Sequence, residues 1–136
     1  MSSVYTEMRS ALQGRLNSLS GLPDVAWENI VFKPTTGTPF VSTLVIPTKR
    51  SPAVAGANPS QRYDGIFRVD VIYPEGNGPK DADEMADSII EHMDASTDIV
   101  TPGVTVRIDS ATRGQGVVDS PWYIIPVSIN FYAYKV

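Results

Sequence analysis

The sequence predicts an α+β protein: a single-domain α/β sandwich, with a mixed, mostly antiparallel sheet of about five strands and two helices on one face. Three observations carry this. From Tyr63 to Tyr73 the odd positions are Tyr63, Gly65, Phe67, Val69, Val71 and Tyr73, and the even ones Asp64, Ile66, Arg68, Asp70 and Ile72. That is period-2 alternation with one apolar and one mostly polar face, the pattern of a half-buried strand. After Pro74 and the turn composition Glu75-Gly-Asn-Gly78, the period changes: Ala82, Met85, Ala86, Ile89, Ile90 and Met93 form one stripe of an α-helix. A second helical stripe, Val4, Met8, Ala11, Leu12, Leu16 and Leu19, opens the chain. Strands with one apolar face and helices with one apolar stripe bury each other as two layers.

In chain order, Ser2 or Ser3 is placed to cap the first helix, and Gly21 and Pro23 end it. Trp27 to Phe32 reads as a first short strand, and Pro34-Thr-Thr-Gly-Thr-Pro39 as a turn. Phe40 to Ile46, β-branched and aromatic, predicts a second strand stopped by Pro47. Thr48 to Ser60 has no period, two prolines and many small residues, and reads as a loop longer than a hairpin requires. The strand and helix of the central unit follow. Val104, Val106 and Ile108 then alternate with Thr105, Arg107 and Asp109 as a fourth strand. Ser110 to Pro121 reads as a second irregular segment. Trp122 to Tyr134 is the last strand, and Pro126 within it predicts an edge strand or a bulge. The strand–helix–strand step from Tyr63 to Ile108 predicts a crossover that leaves those two strands parallel.

Composition excludes several classes. A chain of 136 residues, 42% apolar and 19% charged, suits one domain with a core. With no cysteine, disulfides and thiolate metal sites are ruled out. No apolar run approaches the ~20 residues of a membrane-spanning helix, and the first residues lack signal-peptide character, so a soluble intracellular protein is expected. The net charge of −4 opposes tight wrapping of nucleic acid, which needs many phosphate-neutralising cations.

The search for chemistry finds no catalytic constellation. His92, the one histidine, sits at the end of the second helix, where it complements the dipole. Without Cys or a second His no nucleophilic triad is indicated. Asp81, Asp83, Glu84 and Asp87 lack calcium-loop spacing and belong to a helix first turn, with Asp81 and Glu84 spaced like a capping pair. Glu75-Gly-Asn-Gly-Pro-Lys80 lacks phosphate-loop spacing. No catalytic, cofactor or metal residue is expected. The cations Lys49, Arg50, Arg62 and Arg113 sit in or beside the two irregular segments, as solvated loop charge or as partner contacts. Arg68 and Asp70 share the polar face of the central strand, and Arg107 and Asp109 share a face of a strand expected near it. Tyr132 and Tyr134 lie on the face opposite Phe131 and are of the type enriched at interface centres. Lys49, Arg50, Arg62, Arg68, Asp70, Arg113, Tyr132 and Tyr134 are therefore the expected subunit or partner contacts.

Several segments occur together in a telling order: Met8-Arg-Ser-Ala-Leu-Gln-Gly-Arg-Leu16, Leu22-Pro-Asp-Val-Ala-Trp-Glu-Asn29 and Thr36-Gly-Thr-Pro-Phe40. They are followed by Gly65-Ile-Phe-Arg-Val-Asp-Val-Ile-Tyr-Pro74, Ala82-Asp-Glu-Met-Ala-Asp87 and Trp122-Tyr-Ile-Ile-Pro-Val-Ser-Ile129. The set, spanning nearly the whole chain, resembles the tail terminator family of long, non-contractile-tailed bacteriophages. The resemblance implies one tail-terminator-like domain over residues 1–136 and a structural, non-enzymatic role at the head-proximal end of the virion tail. It implies a homo-hexameric ring that caps the tail tube, stops its growth and docks the head. The implied partners are further copies of the chain, the tail tube protein and a head–tail connector or completion protein. Phage DNA would pass through the lumen unbound, and assembly would occur in the host cytoplasm. A tail-tube, tail-completion or head–tail joining role, or a small ligand-binding domain or enzyme, are the alternatives.

Overall fold

The computed structural model describes residues 3–52, 61–95, 98–101 and 103–135. Its elements run α1 (Val4–Asn17), β1 (Asp24–Ala26), β2 (Phe40–Pro52), β3 (Gln61–Pro74), α2 (Lys80–His92), β4 (Asp98–Val100), β5 (Thr105–Arg113), β6 (Val117–Asp119) and β7 (Trp122–Lys135). The α+β class holds, but the sheet has seven strands rather than five, in the order β1-β2-β3-β7-β5-β4, with β6 pairing β7 beside β5. It is a curled half-barrel. Among the described residues only β1 and β2 are parallel neighbours. β3 and β5 do run parallel, as the crossover required, but β7 lies between them and is antiparallel to both.

One face of this sheet carries the core. Val41, Thr43 and Val45 of β2 register with Val71, Val69 and Phe67 of β3. Those three pair in turn with Ile125, Val127 and Ile129 of β7. Phe131 and Ala133 continue the row to Ile108 and Val106 of β5. Met8, Leu12 and Leu16 of α1, Ala82, Ala86 and Ile89 of α2, and Met93 just after it are buried in the same cluster, so both stripes cover one sheet face. Ser3 caps α1, its hydroxyl accepting from the Thr6 N–H at 3.0 Å. The helices are clamped at their C-termini: Arg15 Nε donates to the His92 carbonyl at 3.1 Å, and His92 Nε2 lies 2.9 Å from both the Arg15 carbonyl and the Ser18 hydroxyl. His92 is thus a fastener. Between β3 and α2, Gly76 and Gly78 take φ of 90° and 76°, a region costly for other residues. α2 begins at Lys80 after Pro79 with no side-chain cap, so Asp81 and Glu84 form no capping pair.

Four segments depart from the sequence expectation, each because a tertiary partner outweighs local preference. The first strand is Asp24–Ala26, not Trp27–Phe32. After Ala26 the Glu28 carboxylate takes over the edge of β2, accepting from the Val45 N–H at 2.8 Å and from Arg9 Nε at 3.1 Å. β2 does not stop at Pro47 but continues to Pro52, with a register shift between Pro47 and Lys49. Residues two apart in a strand point the same way, so the Pro47 nitrogen faces the open edge on the Val45 side and forfeits no ladder bond. Thr48–Pro52 is therefore strand, and the remainder of the expected loop, residues 53–60, lies outside the described residues. Ser110–Pro121 is not irregular throughout: β5 reaches Arg113, past a shift between Ile108 and Ser110, and β6 adds a hairpin arm. Pro126 lies in a central strand, opposite Asp70. Its carbonyl accepts from the Gly114 N–H at 2.8 Å, so its nitrogen also faces the gap between β5 and β6, where no donor is needed.

Candidate assembly surface

On the face of the sheet away from the helices, the register sorts the side chains into cross-strand rows. Near the open ends of β2 and β7, Lys49, Asp64, Tyr132, Arg107 and Asp98 stand side by side on five successive strands. The next row holds Ser51, Arg62 and Tyr134. Cations, carboxylates and two tyrosines therefore alternate over a few strand spacings of about 4.8 Å.

Arg62 knits this patch. Its Nε lies 3.0 Å from Asp64 Oδ1 and its Nη2 3.1 Å from Oδ2, a fork-on-carboxylate geometry made possible because residues i and i+2 of a strand share a face. The guanidinium carbon sits 4.2 Å from the Tyr132 ring centroid, and Nη1 is 3.4 Å from the Tyr134 hydroxyl. The two tyrosine rings meet edge to face at 5.8 Å. The Asp64 hydrogen bond pushes the Arg62 pKa above its ordinary value, with a smaller contribution from Tyr134. This holds the charge fixed. On the other side of Asp64, Tyr5 of α1 donates to the Asp64 carbonyl at 2.8 Å and reaches the Lys49 carbonyl at 3.3 Å, tying the helix layer to the β2 bulge.

Other expected contact residues lie elsewhere. Arg68 and Asp70 pair at 3.0 Å in the middle of the same face, beside an open groove of about 620 Å³ lined by Trp27, Phe32, Phe40 and Leu44. Arg50 registers with Tyr63 on the helix-side face and stacks over its ring at 5.4 Å. Arg113 follows the β5 bulge onto the helix side as well, where Nη1 meets Asp83 Oδ1 of α2 at 2.8 Å. Asp109 falls at the register shift of β5 but lines a hollow with Arg62, Asp64 and Tyr132, so it borders the patch. The structure thus unites Lys49, Arg62, Tyr132 and Tyr134 and separates the rest. Asp64, which orders the patch, was missed, although the spacing Arg62-x-Asp64 within an alternating strand was its signal. No group of three or more metal-ligating side chains converges among the described residues.

A family model described as Phage tail terminator protein matches residues 7–131. The chain belongs to the phage tail terminator family. A tail terminator is a structural protein of the virion tail, not an enzyme. One solved structure is similar with a TM-score of 0.77 at 23% identity, over 99% of this chain and 98% of that one, a likeness that shows the fold alone. Comparison with curated proteins gives no match. No described helix of this terminator is long and apolar enough to cross a membrane.

Proposed function

We propose that this tail terminator assembles as a sixfold ring on the finished tail tube, blocks further addition of tube subunits and offers the surface on which the head docks. The family match over residues 7–131 carries the reading. Its partners are further copies of the chain, the tube protein and a connector or completion protein at the head. The net charge of −4 suits a lumen through which DNA slides without adhering. The Arg62–Asp64–Tyr132–Tyr134 patch, with Lys49 beside it, is the contact offered to one of these partners. Tyr and Arg pre-ordered in one conformation lose little side-chain entropy on docking. Arg68 and Asp70 extend the same face.

Electron microscopy of tails made without the protein tests this. Tubes that overgrow and fail to join heads are expected, whereas tubes of normal length carrying heads refute it.

A further inference from the structure

A closed ring built from one kind of subunit needs two unlike, complementary surfaces on opposite sides of each copy. Two such surfaces are visible among the described residues. On the β1 side, the segment after β1 leaves the sheet, and Ile30 and Val31 stand 65% and 89% exposed. Phe32, which follows them, is held on Phe40 with ring centroids 5.0 Å apart. On the far side of the same end of the sheet, β6 pairs only with β7, so its other edge is open, and Val117 and Val118 are 58% and 59% exposed. Phe40, Ile72, Ile124 and Val117 form one cross-strand row, so Val117 ends the strip of apolar residues that Phe32 joins at its other end, while Val118 pairs with Tyr123 and faces the α2 side of the same edge. Single exposed aliphatics are ordinary, but adjacent exposed pairs on the two opposite edges of one sheet are not. β6 is also a β-branched edge whose first two residues carry no charge and no proline.

The flanking charges are complementary. Exposed Lys33 lies two residues beyond Val31, and exposed Asp119 one residue beyond Val118. Neither has an ion-pair partner among the described residues. We propose that the Ile30–Val31–Lys33 edge of one copy docks head to tail on the Val117–Val118–Asp119 edge of the next copy. Apolar pairs meet at the centre, and Lys33 faces Asp119 at the rim. This inference rests on the ring reading and names the contact between its subunits.

Because the chain has no cysteine, Val31→Cys and Val118→Cys introduce the only thiols. Oxidation in solution and on purified tail tubes is expected to leave each single variant uncrosslinked and to give dimers from their mixture. The double variant should give a ladder ending in a closed ring. Lys33→Glu or Asp119→Lys added to the double-cysteine chain should cut the crosslink yield about tenfold, since like charges then face each other, and the two reversals together should restore it. Dimers from either single variant alone, or an oligomer by sedimentation whose mixed cysteines do not crosslink, overturn the docking mode while leaving the ring intact. A chain that stays a single copy both in solution and on tubes overturns the ring and the docking mode together.

Discussion

Gly65→Ala is a perturbation whose size is set by measured contacts. Gly65 lies on the core face of β3, directly opposite Phe131 of β7, which is 2% exposed. A Cβ there would sit 2.6 Å from Phe131 Cζ, 3.0 Å from Cε1 and 3.0 Å from the Ile46 carbonyl oxygen. The ring occupies the space that a side chain would need, and it is walled in by Ile108 across the next strand pair. Overpacking of this kind costs about 1–3 kcal/mol, offset by about 0.5 kcal/mol because Ala orders more cheaply than Gly in a strand. At about 2.1 cal/mol/K per residue, this chain has an unfolding entropy of about 0.29 kcal/mol/K, so each kcal/mol moves the midpoint by about 3.5 °C. A fall of about 2–9 °C is therefore expected by circular dichroism. In a Phe131→Leu background the added methyl group has room, and the same substitution should cost at least about 1 kcal/mol less, a positive coupling in the double-mutant cycle. An unchanged midpoint for Gly65→Ala, or an equal cost in both backgrounds, would show that the ring does not fill this space.

Other substitutions probe the remaining contacts. Arg62→Ala removes the carboxylate fork and the stacking on Tyr132 at a part-exposed site, and should cost only about 1–2 kcal/mol in urea unfolding. If the patch is a partner contact, assembly should fall by more than tenfold; a stability loss above about 3 kcal/mol with assembly intact would place Arg62 in the fold alone. Thr43 is 4% exposed and its hydroxyl has no partner among the described residues, so Thr43→Val should raise stability by about 1 kcal/mol; a lower melting temperature would reveal a hidden partner. Burial, then the Asp64 charge, raises the Tyr5 pKa above 10.0. The unfolded phenol therefore ionises first, and the stability from Tyr5, complete below pH 10, is lost as pH rises through the folded pKa. Tyr5→Phe should cost about 1 kcal/mol at pH 7 and flatten the alkaline decline. Tyr73, raised by burial, Asp81 and Glu84, supplies a residual decline; an unchanged slope in Tyr5→Phe removes Tyr5 as a cause.

The two helices, the β3 strand and the core face of β7 were legible in the sequence because their pattern is periodic and local. Ala82 through Met93 and Phe67 through Val71 repeat at 3.6 and 2 residues, and any fold that buries them must respect that spacing. The non-enzymatic expectation came from the lone histidine and the missing cysteines, and membership of a structural family bears it out. What escaped depends on which strand lies next to which. A proline looks like a stop until its nitrogen is seen to face an open edge at Pro47, or a gap between strands at Pro126. The apolar run Trp27–Phe32 looks like a strand until Glu28 is found holding the β2 edge, which leaves Ile30 and Val31 outside. The side of the sheet on which Arg113 emerges is decided by one extra residue in the β5 ladder, because a single-residue shift turns every later side chain to the opposite face. That shift sends Arg113 to Asp83 on the helix layer. The patch around Arg62 exists because β7 inserts between β3 and β5, bringing Tyr132 beside residues some seventy positions away in the chain. Such pairings carry no local period, so only the folded chain records them.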